Sequence, residues 1–371
     1  MGEAAGAPET RVSRGAGAHG PRRPSGGSRV CAAVDLGTNN CRLLIAAPSA
    51  DGFRIIDAFS RIVRLGEGVS QSGRLSEAAM ERALGALAIC AEKIGRRGVS
   101  QVRAVATQAC RAAANGAGFI AEVERRTGLR LSIISPREEA QLAVAGCLNL
   151  LDHDAHAALV LDVGGGSTEL SWIDLKAPGL VVDPRRLAYW RLPIKAWLSV
   201  PIGVVTLAER FPERAEDGPA WYRSMVEAVK REITVFAQAD EMRETFAAQR
   251  AHLVGTSGAI TSLAGVHLGL PRYDRRRVDG LWMTRGECEA VAQRLAALSL
   301  SQRAAEPCIG PDRADLVLAG AAILQAVQEV WPCDRVRVAD RGLREGLLLS
   351  LMSTERRPRR RRGHAAARSA P

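Results

Sequence analysis

Leu161–Leu170 reads LDVGGGSTEL. An apolar run closes on Asp162; Gly164, Gly165 and Gly166 follow, then the hydroxyl residues Ser167 and Thr168, then Glu169 at the start of a second apolar run. The pattern predicts a strand, a tight turn and a returning strand. Successive backbone N–H groups in such a turn face one concavity and suit an anion, phosphate above all. Glycine leaves that concavity unobstructed, and two hydroxyls add donors. The competing reading is a hairpin whose turn needs only positive φ. Asp162, at the strand end, is expected to face the same concavity. A carboxylate beside phosphate calls for a cation between them, and Mg2+, bound by one or two carboxylates, substrate phosphates and water, suits that place. Asp162 and Glu169 are the candidate ligands, although Glu169 also reads as an exposed strand residue.

The same pattern occurs earlier. DLGTNNCRLLI (Asp35–Ile45) aligns with DVGGGSTELSWI so that Asp35 falls on Asp162, Gly37 on Gly164 and Leu43 on Leu170, a constant offset of 127 residues. Both copies lie between expected strands, so the chain reads as a duplicated α/β domain. Val30–Gly37, CRLLIAAP and FRIIDAFSRIVRL predict a three-strand meander. Further strands are expected at Val102–Thr107, LRLSIIS, HLVGTSG and RVRVAD. Helices are expected over Ser76–Arg96 with Ser76 as N-cap, Asn115–Arg126, Pro136 to about Leu150, Gly218–Ala239, from Ala259, Arg285–Ala297, Arg313–Val330, and over REGLLLSLM. Pro136 suits a first helical turn, where its missing N–H has no partner to lose.

The 371 residues, 47% of them apolar, allow about two domains with substantial cores. The net charge of +11 sits mainly at the ends: residues 1–29 carry +3, residues 355–371 carry +6, and the body +2. Both ends have the composition of disordered tails. Neither an apolar leader segment nor a run long enough to span a membrane is present in the sequence, which predicts a soluble cytoplasmic protein. The Arg-rich tails read as solvated chain, with polyanion or nucleic-acid contact as the less favoured alternative. The eight cysteines form no C-x-x-C pair and read as small apolar residues. His19, His153, His156, His252, His267 and His364 all lie away from the glycine-rich turns, which argues against phosphohistidine or Ser-His-Asp chemistry. There is no G-x-x-x-x-G-K-[ST] loop and no support for a dinucleotide fingerprint.

Four more segments bear on chemistry. Gly255-Thr256-Ser257-Gly258 joins a strand to a helix whose free N–H groups attract phosphate. Arg64 in RIVRLGEGV and Arg111 in ATQACRAAANG are candidate forks for phosphate oxygens, each weighed against an ordinary surface role. Glu138 and Glu139 in SPREEAQLAVAGC open a helix, as a general base toward water or as charges on the helix dipole.

Taken in order, AAVDLGTNNCRLLIA, RIVRLGEGV, ATQACRAAANG, IISPREEAQLAVAG, LVLDVGGGSTELSWID, LVGTSGAITSLAG and RVRVADRGLREGLL resemble the exopolyphosphatase/guanosine pentaphosphate phosphohydrolase (Ppx/GppA) family over about Val30–Leu349. The resemblance implies an α/β fold of two ribonuclease-H-like lobes, of the actin-like ATPase superfamily, with the active site in the cleft between them. It divides the chain into a tail (1–29), a first lobe (30–136), a second lobe (137–354) whose last helix packs back on the first, and a tail (355–371). It implies Mg2+-assisted release of the terminal phosphate of polyphosphate or of the 5′ γ-phosphate of guanosine pentaphosphate. Glu139 takes the place of the family's catalytic base. Asp162 and Glu169, joined by Asp35, fall on metal-associated positions. Gly37, Thr38, Asn39 and Asn40, Gly164–Thr168, and Gly255–Gly258 fall on the phosphate loops, and Arg64 and Arg111 on phosphate-contacting positions. Asn40 stands where the family pattern has Ser. The resemblance is to a short form without the extra C-terminal helical domains of longer exopolyphosphatases, which points toward shorter chains or guanosine pentaphosphate. A homodimer is left open. The alternatives are an ATP-dependent kinase or ATPase of the same superfamily and a non-catalytic guanosine tetra- or pentaphosphate binder.

Overall fold

A computed structural model describes residues 30–49, 52–177, 192–213 and 219–354; both expected tails lie outside them. The first half contains β1 (Cys31–Leu36), β2 (Asn40–Ser49), β3 (Gly52–Ile62), α1 (Val69–Ser72), α2 (Glu77–Arg96), β4 (Gln101–Ala106), α3 (Gln108–Ala112), α4 (Gly116–Thr127), β5 (Leu131–Ile133) and α5 (Pro136–Cys147). The second contains β6 (Ala157–Val163), β7 (Thr168–Asp174), β8 (Ile194–Val200), α6 (Val204–Arg210), α7 (Pro219–Ile233), α8 (Ala239–Ala247), β9 (Ala251–Thr256), α9 (Gly258–His267), α10 (Arg275–Val278), β10 (Trp282–Met283), α11 (Arg285–Ala296), α12 (Leu300–Ala305), α13 (Val317–Val330), β11 (Val336–Ala339) and α14 (Leu343–Thr354).

The two sheets repeat one topology. The first is ordered β3-β2-β1-β4-β5 and the second β10-β11-β9-β6-β7-β8. In each, an antiparallel meander (β1-β2-β3 or β6-β7-β8) is extended by parallel strands entering beside its first member. This is the duplicated ribonuclease-H-like arrangement. Register carries the sequence repeat into space: Asp35 lies opposite Arg42 across β1–β2, and Asp162 opposite Glu169 across β6–β7.

Central β1 and β6 are apolar almost throughout because helices cover both their faces. On one face of the first sheet, Ala83, Leu84, Leu87 and Cys90 of α2 pack with Phe119 and Val123 of α4. On its other face, Leu142 of α5 and Leu347 and Leu348 of α14 pack against Ala33, Leu44 and Val105. The later part of α5 turns to the second sheet, where Val144 and Cys147 join Val160 and Val254. Thus α5 and α14 pack against each other on the first sheet, and α5 continues to the second. Ser76 caps α2 by accepting from the Ala79 N–H at 3.3 Å, and Ser135 caps α5 from the Glu138 N–H at 3.2 Å.

Three expected helices differ. The one over Gly218–Ala239 stops at Ile233, where Phe236 turns inward and packs edge-on against Trp331, with ring centroids 6.0 Å apart, and a further helix, α8, begins at Ala239. The one from Pro136 is α-helical only to Cys147 and tightens to a 3-10 turn over Leu148–Leu150. The one from Arg313 starts at Val317, after a turn. Strand β8 and helix α6 were not anticipated. All eight cysteines are buried free thiols, and no described helix is long and apolar enough to cross a membrane.

Candidate active site

The loops at the ends of β1 and β6 face each other across a cleft of about 430 Å3. Asp35, Gly37, Thr38, Asn39 and Asn40 form one side, and Asp162, Gly164, Gly165, Gly166 and Ser167 the other. The turn does join an antiparallel β6–β7 pair, but none of these glycines has positive φ, so space, not backbone conformation, requires them. A Cβ on Gly165 would lie 2.9 Å from Thr38 Cβ and 3.0 Å from the Asn39 amide nitrogen. One on Gly166 would lie 2.8 Å from Thr38 Oγ1 and 2.9 Å from Gln108 Cγ. The glycines let the two loops approach each other as well as a ligand.

Each loop is braced from behind. Asn39 O accepts the Val63 and Arg64 N–H groups, and Thr38 O accepts that of Gly66, so RIVRLGEG is a strap beneath the first loop. Behind the second loop, the Val204 and Val205 N–H groups at the head of α6 donate to Gly164 O and Gly165 O at 3.0 and 2.8 Å. Gly203 is obligatory there, since a Cβ would fall 2.4 Å from Gly165 C.

Glu139 lines the cleft from the first turn of α5 and is 7% exposed. Arg111 Nη1 and Nη2 each donate to its Oε2 at 3.2 Å, and Arg111 also donates to Ile134 O and to Gln108 Oε1. Burial, then the charge of Glu169, pushes the Glu139 carboxyl well above the usual range, with Arg111 pulling the other way. Burial and Asp35 raise Asp162 to about 6. Burial and Asp162 raise Glu169 to about 7. Asp35 is raised by burial as well, against Arg42 and Arg344. Four carboxylates thus crowd one buried region, which favours either shared protons or a cation. Hard oxygen donors of this kind fit Mg2+. Among the described residues no three acidic, His or Cys groups stand close enough to hold a metal by themselves.

Several anticipated residues sit elsewhere. Arg64 does not line the cleft: its guanidinium crosses to the second lobe, donating to Asp315 Oδ2 at 2.8 Å, Asp315 Oδ1 at 3.1 Å and Asp312 O at 3.2 Å. Arg111 acts on Glu139 from beside the cleft. Thr168 is buried and donates to Ile202 O at 2.6 Å, tying β7 to the segment before α6. Glu169 is buried behind the loop, accepting from Ser199 Oγ at 2.8 Å. Gly255 is packed within β9 against Ile260, whereas Thr256, Ser257 and Gly258 line the cleft. Ser257 has φ 108°, a conformation rare outside glycine that is held at the head of α9. Glu138 is paired with Arg103.

Sequence reading missed the cationic side. Arg42, Arg313 and Arg344 line the cleft. A Cβ on Gly258 would sit 3.5 Å from Arg42 Nη2 and 3.9 Å from Arg313 Cζ, so two guanidiniums converge at the N-terminus of α9. Arg313 reaches Ser262 Oγ at 3.4 Å. The signal for Arg42 was in the repeat itself, because the offset of 127 that superposes Asp35 on Asp162 also superposes Arg42 on Glu169. Asn39 Oδ1 and Asn40 Oδ1 are buried in the cleft wall without a hydrogen-bond partner, and such orphans point to a ligand or ordered water.

Glycine loops, a capped helix, arginines and buried carboxylates around one interlobe cleft define a two-lobed phosphate-handling protein of the ribonuclease-H-like class. The profile of the Ppx/GppA phosphatase family matches residues 44–355, and the chain belongs to that family. It is 30% identical to Exopolyphosphatase 2 of Mycobacterium tuberculosis over 340 residues, covering 86% of this chain and 98% of that one. It is 29% identical over 325 residues to the guanosine-5'-triphosphate,3'-diphosphate pyrophosphatase of Aeromonas salmonicida, covering 88% of this chain and 60% of that one. The crystal structure of the Aquifex aeolicus Ppx/GppA family member superposes with a TM-score of 0.70 at 27% identity, over 89% of this chain and 99% of that one.

Proposed function

We propose that the protein hydrolyses terminal phosphoanhydride bonds of inorganic polyphosphate, with the 5′ γ-phosphate of guanosine pentaphosphate as a second substrate. The observation that carries this is Glu139: a buried carboxylate on the cleft wall, oriented by Arg111 and facing the Gly164–Ser167 loop. The names of the similar exopolyphosphatase and pyrophosphatase agree with it.

The phosphate chain lies along the cleft, its oxygens met by loop N–H groups, Ser257 at the head of α9, and the Arg42 and Arg313 guanidiniums. Such donors position the chain and neutralise charge developing on the transferred group, which supplies most of the catalysis in phosphoryl transfer. Glu139 takes a proton from a water held beside it, and the water oxygen bonds to the terminal phosphorus. The bond from phosphorus to the bridging oxygen breaks, its electron pair leaving with the shortened chain. Orthophosphate and a chain one unit shorter result. Asp35 and Asp162, which line the cleft, are the residues that would hold Mg2+, directly or through water, and the ion would supply charge neutralisation at the phosphate oxygens.

The direct test is Glu139→Gln. Losing a positioned base costs about 10²–10⁴ in rate, so phosphate release from polyphosphate should fall by that factor while polyphosphate binding persists. Wild-type turnover in the variant would remove Glu139 from the role. Rates on short polyphosphate, long polyphosphate and guanosine pentaphosphate, with and without Mg2+, establish the preferred substrate.

A further inference from the structure

A second cavity, of about 360 Å3, adjoins the cleft near the head of α5. Its walls include Pro136, Trp197, Ser199 and Pro201, and it shares Gln108 and Ser167 with the cleft. The catalytic region is therefore bounded by two openings, with these two side chains as a septum. Gln108 is held there on one side only: its Oε1 accepts from Arg111 Nη2 at 2.8 Å, and its Cγ lies over Gly166. Ser199, on the far wall, donates to Glu169, and Pro136 begins the helix that carries Glu139. Trp197 at the mouth is 39% exposed and Pro201 is exposed.

The geometry creates a problem that the second cavity solves. Water attacks from the Glu139 side, opposite the leaving oxygen. The orthophosphate formed is then enclosed between Glu139 and the remaining chain, which fills the cleft and is held by Arg42, Arg313 and the loops. Release through the cleft requires the shortened chain to leave first. We propose that orthophosphate leaves through the second cavity, by displacement of the Gln108 side chain, so that the shortened chain stays engaged for another turnover. Apart from the neighbouring Arg111, the walls named carry hydroxyl, amide and apolar groups, which suits passage of an anion rather than its retention.

The inference rests on the hydrolase reading, and its test separates the two. With tripolyphosphate as substrate, phosphate formed is followed by acid quench and phosphate released by a fluorescent phosphate-binding protein. Pro201→Trp, which narrows the mouth, should lengthen the lag between formation and release severalfold while leaving formation in the first turnover unchanged. Trp197→Ala, which widens it, should shorten the lag or leave it as in the wild type. An unchanged lag in Pro201→Trp, or first-turnover formation slowed as much as release, overturns the proposal. Absence of acid-quenched phosphate in the wild type would instead overturn the hydrolase reading.

Discussion

Glu139, Asp162 and Glu169 share one electrostatic condition: each is a buried or half-buried carboxyl whose neighbours carry the same charge. Folded pKa values of about 6 for Asp162 and about 7 for Glu169 lie above their ordinary values of 3.8 and 4.5. A group raised on folding stabilises the native state fully only below its unfolded pKa, and that contribution is lost as pH rises through the folded one. In chelator the melting temperature should therefore fall between pH 5 and pH 8. Added Mg2+ should restore more of it at pH 8 than at pH 5, and Asp162→Asn should flatten the slope. A melting temperature that rises over this interval in chelator, or a slope unaltered in Asp162→Asn, would show that these carboxyls are not the strained groups. At this scale the sequence was informative about type and position: Asp162, Glu139 and the glycine loops line the cleft as expected. It could not distinguish Arg64, which points across to Asp315, from Arg42, which lines the cleft. Both are arginines in or beside β-strand ends, and only the fold orients them.

Helices α5 and α14 are the elements that join the lobes, and they cross at glycines. A Cβ on Gly146 would lie 2.0 Å from Gly342 O, and one on Gly346 would lie 2.0 Å from Leu142 O. Backbone meets backbone here, so no flexible side chain can yield. Gly346→Ala should destabilise the protein by ~1–3 kcal/mol, the range for overpacking a tight core contact, and lower the melting temperature accordingly. Gly85→Ala, on α2 with nothing within 4 Å of the added methyl, serves as the control and should not destabilise. Equal stability of Gly346→Ala and Gly85→Ala would mean the helices do not cross this closely. The period and Ser76 cap of α2 and the start of α5 at Pro136 were legible from sequence because all are local. The interruption between α7 and α8 was not, because it depends on Phe236 meeting Trp331 from another part of the chain.

The whole molecule is closed on one flank by contacts between lobes. Besides the Arg64–Asp315 pair, Glu209 of α6 accepts from the Gly68 N–H at 2.8 Å and from Ser70 Oγ at 2.5 Å. Half-exposed pairs of this kind contribute little to stability, typically about 0–1 kcal/mol. They favour one lobe arrangement over another all the same. Arg64→Ala combined with Glu209→Ala should leave the melting temperature within a few degrees of wild type. It should increase the radius of gyration in solution and raise KM, by shifting the lobes toward an open state. A radius and KM both unchanged would assign these contacts no part in closure.

By itself the sequence determined the duplication, the α/β class, the two loops at the ends of β1 and β6 and the glutamate at the head of α5. Each is written in local pattern: apolar runs closed by Asp and Gly, a fixed offset between copies, Ser-Pro before a carboxylate. Tertiary structure alone decided which charged side chains share the cleft. It also showed that the glycines make room for two loops to meet, and that a second opening adjoins the cleft at Gln108 and Ser167. Those depend on the approach of residues as distant as Arg42, Gly258 and Arg313, and sequence periodicity carries no information about the angle at which two lobes meet.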